Sequence, residues 1–197
     1  MLVRDVMTTD PVTVRRRTTI KSALTTLAEH GVTALPVLDD ARMVYGIVSE
    51  ADLIAEVVPT DPRAHERLVM VEPLEPPRTV EEVCTRSVIS VHPADDVARA
   101  ADLMAVTGAK SLPVLDEARR LVGMVSRSDI VAALAQADST IAADITDLLR
   151  SCGHADWIVE VDEGAARITG PRDAAEHSLA HTVARTVPGV MQVLIDR

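Results

Sequence analysis

The chain has no phenylalanine, one tryptophan and one tyrosine. It therefore lacks the aromatic platforms on which proteins stack single-stranded bases. It also lacks an excess of basic charge. Thirty acidic residues stand against twenty basic ones, a formal net charge of −10, and such a field repels a phosphate backbone. Both absences argue against nucleic acid as a partner. Two cysteines, Cys84 and Cys152, are too few for a disulfide framework. No apolar run approaches the roughly 18 residues of a spanning helix. The start, MLVRDVMTTDP, has neither the basic nor the apolar region of a signal peptide. The expectation is a cytoplasmic protein.

What is present is a duplication. GVTALPVLDDARMVYGIVSEADLI, residues 31–54, returns 77 positions later as GAKSLPVLDEARRLVGMVSRSDIV, residues 108–131. The shift runs without a gap from Val6/Val83 through Val14/Val91, Gly31/Gly108, Leu35-Pro36/Leu112-Pro113, Gly46/Gly123 and Ser49/Ser126 to Asp52/Asp129. A fixed period of this kind marks one supersecondary unit that needs its twin to bury a common face.

Each copy opens on a β-branched segment, PVTV at 11–14 and VISV at 88–91. A helix follows, capped by Thr18 or Thr19 in the first copy and by Asp95 or Asp96 in the second. Its apolar stripe is Ile20, Ala23, Leu24 and Leu27, or Val97, Ala100, Ala101 and Met104. It stops at Gly31 or Gly108. Two strands come next, 35–38 and 44–48, echoed by 112–115 and 121–125, with polar turns DDAR and DEAR between them. A second helix starts at Ser49 or Ser126. The order is β-α-β-β-α.

Between the copies Pro59, Pro62, Pro73, Pro76 and Pro77 exclude a continuous helix or central strand, with room for a short helical turn at 64–69. From Asp138 the pattern changes. Ser139 is the expected cap of a helix with stripe Ile141, Ile145, Leu148 and Leu149. WIVEVDEGAARITG then alternates about Glu163-Gly164 as a hairpin does, and a helix over 173–186 and a strand over 190–195 follow. The expected fold class is α/β (α+β): two paired β-α-β-β-α repeats and a small α-β-β-α-β unit. The expected boundaries are 1–56, a linker 57–77, 78–137 and 138–197.

The sharpest chemical feature is G-apolar-Val-Ser-x-x-Asp, ending both copies at Ser49/Asp52 and Ser126/Asp129. A strand that delivers a serine to a helix N-terminus presents free amides to an anion. A carboxylate one turn in can accept two vicinal hydroxyls, so a phosphate and a ribose would fit. The same spacing also makes a capping box.

The β-α-β-β-α order, the LPV strand after a helix-ending glycine and the G-h-h-S-x-x-D close resemble tandem CBS domains, the Bateman module, over nearly all of residues 1–137. The resemblance implies sheets paired back to back, adenosine nucleotides (AMP, ADP, ATP or a related adenosyl ligand) in the clefts between repeats, and dimers of modules. Carried over by position, Asp52 and Asp129 hold ribose hydroxyls and Ser49 and Ser126 meet phosphate. Val12, Thr13, Pro36 and Val37, with Ile89, Ser90, Pro113 and Val114, flank the base. The second copy replaces Thr33 by Lys110 and Glu50 by Arg127. Two cations at one phosphate site and a carboxylate at the other make the second site the expected stronger one.

The tail resembles a BON domain through Val159, Val161, Gly164, Ile168, Gly170, Gly189, Val190 and Val193, which implies a partner-protein or membrane-binding module. The expected function is non-enzymatic regulation by an adenosine nucleotide, with a constitutive oligomerisation scaffold as the alternative. A hydrolase or transferase is disfavoured for want of a nucleophile with its base or a metal set. His177/His181 and Cys152/His154 are fragments of metal sites without further ligands, so no metal is expected. Cys84, in the place of Met7, reads as a small hydrophobe, and Arg15-Arg16-Arg17 as a solvated loop. A homodimer is expected through apolar helix faces at Leu24, Leu27, Leu53, Ile54, Ile130 and Val131.

Overall fold

The computed structural model describes residues 1–58 and 77–196. The helical turn expected at 64–69 lies outside the described residues. A 3-10 turn at Val3–Asp5 precedes β1 (Thr8–Thr9) and β2 (Val14–Arg15). The first repeat continues as α1 (Ile20–His30), β3 (Ala34–Leu38), β4 (Val44–Ser49) and α2 (Glu50–Val57). The second is α3 (Val80–Val83), α4 (Val97–Thr107), β5 (Ser111–Leu115), β6 (Leu121–Ser126) and α5 (Arg127–Leu134). The tail is α6 (Asp138–Ser151), β7 (Ile158–Asp162), β8 (Ala165–Thr169), α7 (Ala174–Ala184) and β9 (Gln192–Asp196).

The long helices begin and end where their chemistry directs. The Thr19 hydroxyl accepts from the Ser22 amide and the Asp96 carboxylate from the Ala98 amide, while Gly31 and Gly108 close the helices in the left-handed region. The polar turns close alike. Asp39 accepts the Met43 amide at 2.8 Å and Asp116 the Arg120 amide at 2.8 Å, with Arg42 and Arg119 at φ +62° and +59°.

The chain forms two compact bodies, one of residues 9–92 and 110–124, the other of 1–8, 93–109 and 125 onward. In the first body β3 lies between β2, parallel, and β4, antiparallel. The β-branched segment at 11–14 is shorter as a strand than its composition predicts, because β2 pairs only Val14 and Arg15, with Val37 and Leu38. Pro36 explains this: it has no N–H to donate, so the ladder can begin only after it. The second copy behaves likewise, 88–91 contributing a single bridge, Val91 to Val114. In that sheet the order is β1-β6-β5.

The core of the first body is Val14, Ile20, Ala23, Leu27, Leu35, Val37, Val48, Leu53 and Val80. Leu27 and Leu53, expected on an outward face, are buried here; the i, i+3, i+4 stripe that carries them is the inward face of each helix. Gly46 is required by close approach, since a Cβ there would lie 2.9 Å from the Cys84 Sγ and the Thr85 carbonyl.

The tail is a three-stranded sheet, β7-β8-β9, antiparallel then parallel. Ile141, Ile145, Leu149, Trp157, Ala166, Ile168, Ala180, Ala184 and Val187 form its core. Ser139 does not cap α6. Ala137 holds the cap position, and the Asp138 carboxylate in the first turn accepts the Glu163 and Gly164 amides of the β7–β8 turn at 2.8 and 3.0 Å. Asp138 satisfies two turn amides that Ser139 is not placed to meet. No helix among the described residues is long and apolar enough to cross a membrane.

Candidate functional site

Both Ser-x-x-Asp motifs sit at a strand-to-helix junction. β4 ends on Ser49 and β6 on Ser126, and each serine is the N-cap of the next helix. The Ser49 amide and hydroxyl both donate to Asp52 Oδ2 at 2.8 Å, and the Asp52 amide returns to Ser49 Oγ at 3.2 Å. At the second junction the distances are 2.7, 2.7 and 3.2 Å. The capping box is thus fully formed in both copies. Its bonds use one carboxylate oxygen, and Oδ1 of each aspartate takes no part in it.

The charges around the motifs are arranged differently from their sequence order. The Lys110 ammonium is paired with the Glu50 carboxylate, the residue next to Ser49. Both side chains are partly solvated, at 56% and 37% exposure, so a ligand phosphate can compete for the ammonium. The carboxylate that would repel phosphate beside the first motif carries its own counter-ion. Arg127 reaches back to the Gly108 carbonyl at 3.2 Å, fastening the end of α4 to the start of α5.

Val12, Thr13, Pro36, Val37, Ser49, Glu50 and Asp52 are carried by a single body. Pro36 and Val37 are buried in β3, and Val12 and Thr13 are half-buried in the loop that precedes β2. Ser126, Arg127 and Asp129 belong to the other body, and Ile89, Ser90, Lys110, Pro113 and Val114 to the first. Pro113 and Val114 are buried, Ser90 is half-buried and Ile89 is 43% exposed.

One cluster escaped the sequence reading. Arg16, expected as part of a solvated arginine run, lies 4.4 Å from the centroid of the Tyr45 ring, with Arg86 at 5.1 Å from the same ring. Glu81 pairs with Arg16 and accepts the Tyr45 hydroxyl at 3.3 Å. The hydrogen bond from Arg16 holds the Glu81 carboxyl below its ordinary range despite the opposing effect of desolvation. The signal lay in the sequence as the sole tyrosine among arginines, but α3, which supplies Glu81, had not been anticipated. Nearby, burial pushes the Cys84 thiol up, making it a poor thiolate; Cys152 is exposed. Among the described residues no group of three or more His, Cys, Asp or Glu is placed to hold a metal.

The chain is 34% identical over 134 residues to a CBS domain-containing protein of Dictyostelium discoideum, covering 66% of this chain and 89% of that one. It is 28% identical over 129 residues to the L-aspartate semialdehyde sulfurtransferase of Methanocaldococcus jannaschii, covering 66% of this chain but only 22% of the enzyme's length. Among solved structures it resembles a CBS domain pair in complex with 5′-methylthioadenosine and S-adenosyl-L-methionine, at 27% identity and a TM-score of 0.56, over 67% of this chain and 94% of that one. It is also similar to CBSX2 in complex with AMP, at 28% identity and a TM-score of 0.53, over the same shares. The CBS domain profile matches residues 3–59 and again residues 80–136. With both copies matched, this chain belongs to the CBS domain family, as a tandem pair.

Proposed function

We propose that this protein is a non-enzymatic regulator that binds an adenosine nucleotide, AMP, ADP, ATP or a related adenosyl ligand, at its two Ser-x-x-Asp motifs. The observation that carries the reading is the duplicated junction itself. A serine at a helix N-terminus and a carboxylate with an oxygen outside the capping box are offered twice, in a family whose relatives include complexes with AMP and S-adenosyl-L-methionine. In this reading Asp52 and Asp129 accept ribose hydroxyls, Ser49 and Ser126 meet phosphate, and Val12, Thr13, Pro36, Val37, Ile89, Ser90, Pro113 and Val114 flank the base. Because Lys110 offsets Glu50, the second motif keeps its lead through Arg127 alone, and the margin between the sites is narrower than sequence implies. The tail acts as the module that meets a partner protein or a membrane, in line with its BON-like pattern. Exposed Ile54, Val57 and Val58 of the first repeat and Val131 and Leu134 of the second support homodimerisation through the CBS pair, in the cytoplasm.

The test is a thermal-shift panel of AMP, ADP, ATP and S-adenosyl-L-methionine. A ligand selective for the native state at a hundredfold excess over its Kd stabilises by about 2.7 kcal/mol. One adenosyl ligand is expected to raise the melting temperature by several degrees. A flat response across the panel at millimolar concentrations overturns the proposal and favours the second reading, a constitutive oligomerisation scaffold. One feature supports that alternative: in both motifs the serine and aspartate already satisfy each other as a capping box.

A further inference from the structure

We propose that the loop joining α7 to β9 in the tail forms a wall of the second nucleotide site, so that ligand binding there is coupled to how the tail is held. The inference rests on the reading of Asp129 as a ribose-binding residue. A depression of about 400 Å³ is lined by Asp129, Ala132, Ala133 and Gln136 of α5 and its end, by Asp5 and Val6, and by Pro188 of the tail. That volume lies in the range of small-ligand pockets. The tail residue is there because its neighbour lets it in: Gly189 sits at φ +89°, and a Cβ on it would come within 2.6 Å of Ile141 Cδ1 and 3.2 Å of the Ala133 carbonyl. The loop therefore packs between the last turn of α5 and the first turn of α6, in a left-handed conformation that a side chain at 189 would strain.

The lining also says which part of a nucleotide belongs there. Two acidic residues, Asp5 and Asp129, line this space. Carboxylates repel a phosphate but accept hydroxyls and amines. The ribose, with its two hydroxyls, suits this end, while the phosphate points away toward Ser126. A ligand seated on Asp129 then touches Pro188 as well. Contacts made only while the loop is docked tie occupancy to docking, and by linkage a change in docking alters affinity by the same factor.

The experiment uses the full chain and AMP as the probe. Titration calorimetry is run on the wild type, Asp129→Ala, Gly189→Ala and Pro188→Ser, with hydrogen exchange of residues 132–136 and 185–191 followed with and without AMP. Gly189→Ala strains the docked loop and is expected to weaken AMP binding at the second motif by about tenfold, within the usual span of coupling. Pro188→Ser, a milder change at a half-buried loop position, is expected to weaken it about threefold. AMP is expected to slow exchange in both segments, and to do so less in Asp129→Ala. If Asp129→Ala loses binding while both loop variants bind like the wild type and exchange at 185–191 is unmoved by AMP, the coupling is refuted and the nucleotide site stands. If AMP does not bind the wild type and the other adenosyl ligands also fail, the nucleotide reading falls and this inference with it.

Discussion

The two repeats share a frame and differ in what surrounds it. Both cap their first helix with a short polar side chain, end it on a left-handed glycine, close their hairpin with an aspartate and start their last helix with the same box. Yet the Arg16, Tyr45, Glu81 and Arg86 cluster exists once. One repeat length away, the corresponding positions hold Pro93, Val122, Arg4 and Thr9, which cannot pair in that way. The fold-determining positions survived the duplication because each satisfies a backbone group or fills a core. The positions free of that duty diverged, and those are the ones that set charge.

The largest difference expected between equivalent positions is in packing. Leu53 is fully buried in the first core, whereas its counterpart Ile130 is only half-buried. Leu53→Ala is expected to destabilise by about 2–5 kcal/mol, and Ile130→Ala by about 1 kcal/mol. Denaturant unfolding of both compares them directly, and equal losses would mean that the repeats are packed alike.

Next in size is the ligand-dependent difference. Loss of a charge-assisted hydrogen bond costs about 1.5–3 kcal/mol, or about ten- to a hundredfold in affinity. Asp129→Ala is expected to fall in that range and Asp52→Ala at or below its lower edge. Each variant also loses about 1 kcal/mol of stability with its capping box. Unchanged nucleotide affinity in both, with that stability loss, would reduce the motifs to helix caps.

The unshared cluster should matter less. Tyr45→Leu removes two cation–π contacts and is expected to lower stability slightly, while Val122→Leu at the equivalent place is expected to be nearly neutral. The cluster also has a pH signature. Because the folded Glu81 carboxyl titrates below its unfolded value, its contribution is complete above the unfolded carboxyl range and is lost as the pH falls through the folded one. Acid titrations of wild type and Glu81→Gln should therefore converge at low pH; a constant gap would show that Glu81 acts without its charge. The smallest effect is expected from Glu50→Gln, which frees Lys110. At low salt it should raise affinity at the first motif about twofold, and the gain should vanish at high salt.

Most of the frame was legible in the sequence because it is governed by local rules. Caps, glycine stops and the hairpin at Glu163-Gly164 depend on residues within a few positions of one another. What was not legible depends on distant partners. Asp138 serves a turn 25 residues away, Lys110 meets a glutamate 60 residues earlier, and Glu81 lies 65 residues from Arg16. The length of β2 was misjudged for a related reason, since its composition is strand-like while the proline limiting it sits in the neighbouring strand. The Ser-x-x-Asp motifs were found from spacing alone. Their surrounding charges were not, because a side chain four bonds long chooses its partner in space.

The central claim is that the duplicated aspartates are the nucleotide-binding residues of this CBS pair. Titration calorimetry of AMP into the wild type and the Asp52→Ala, Asp129→Ala double variant, with folding of the variant verified by its unfolding transition, tests it most directly. Binding in the wild type and none in a folded double variant is the predicted result. A double variant that binds AMP as tightly as the wild type would contradict it.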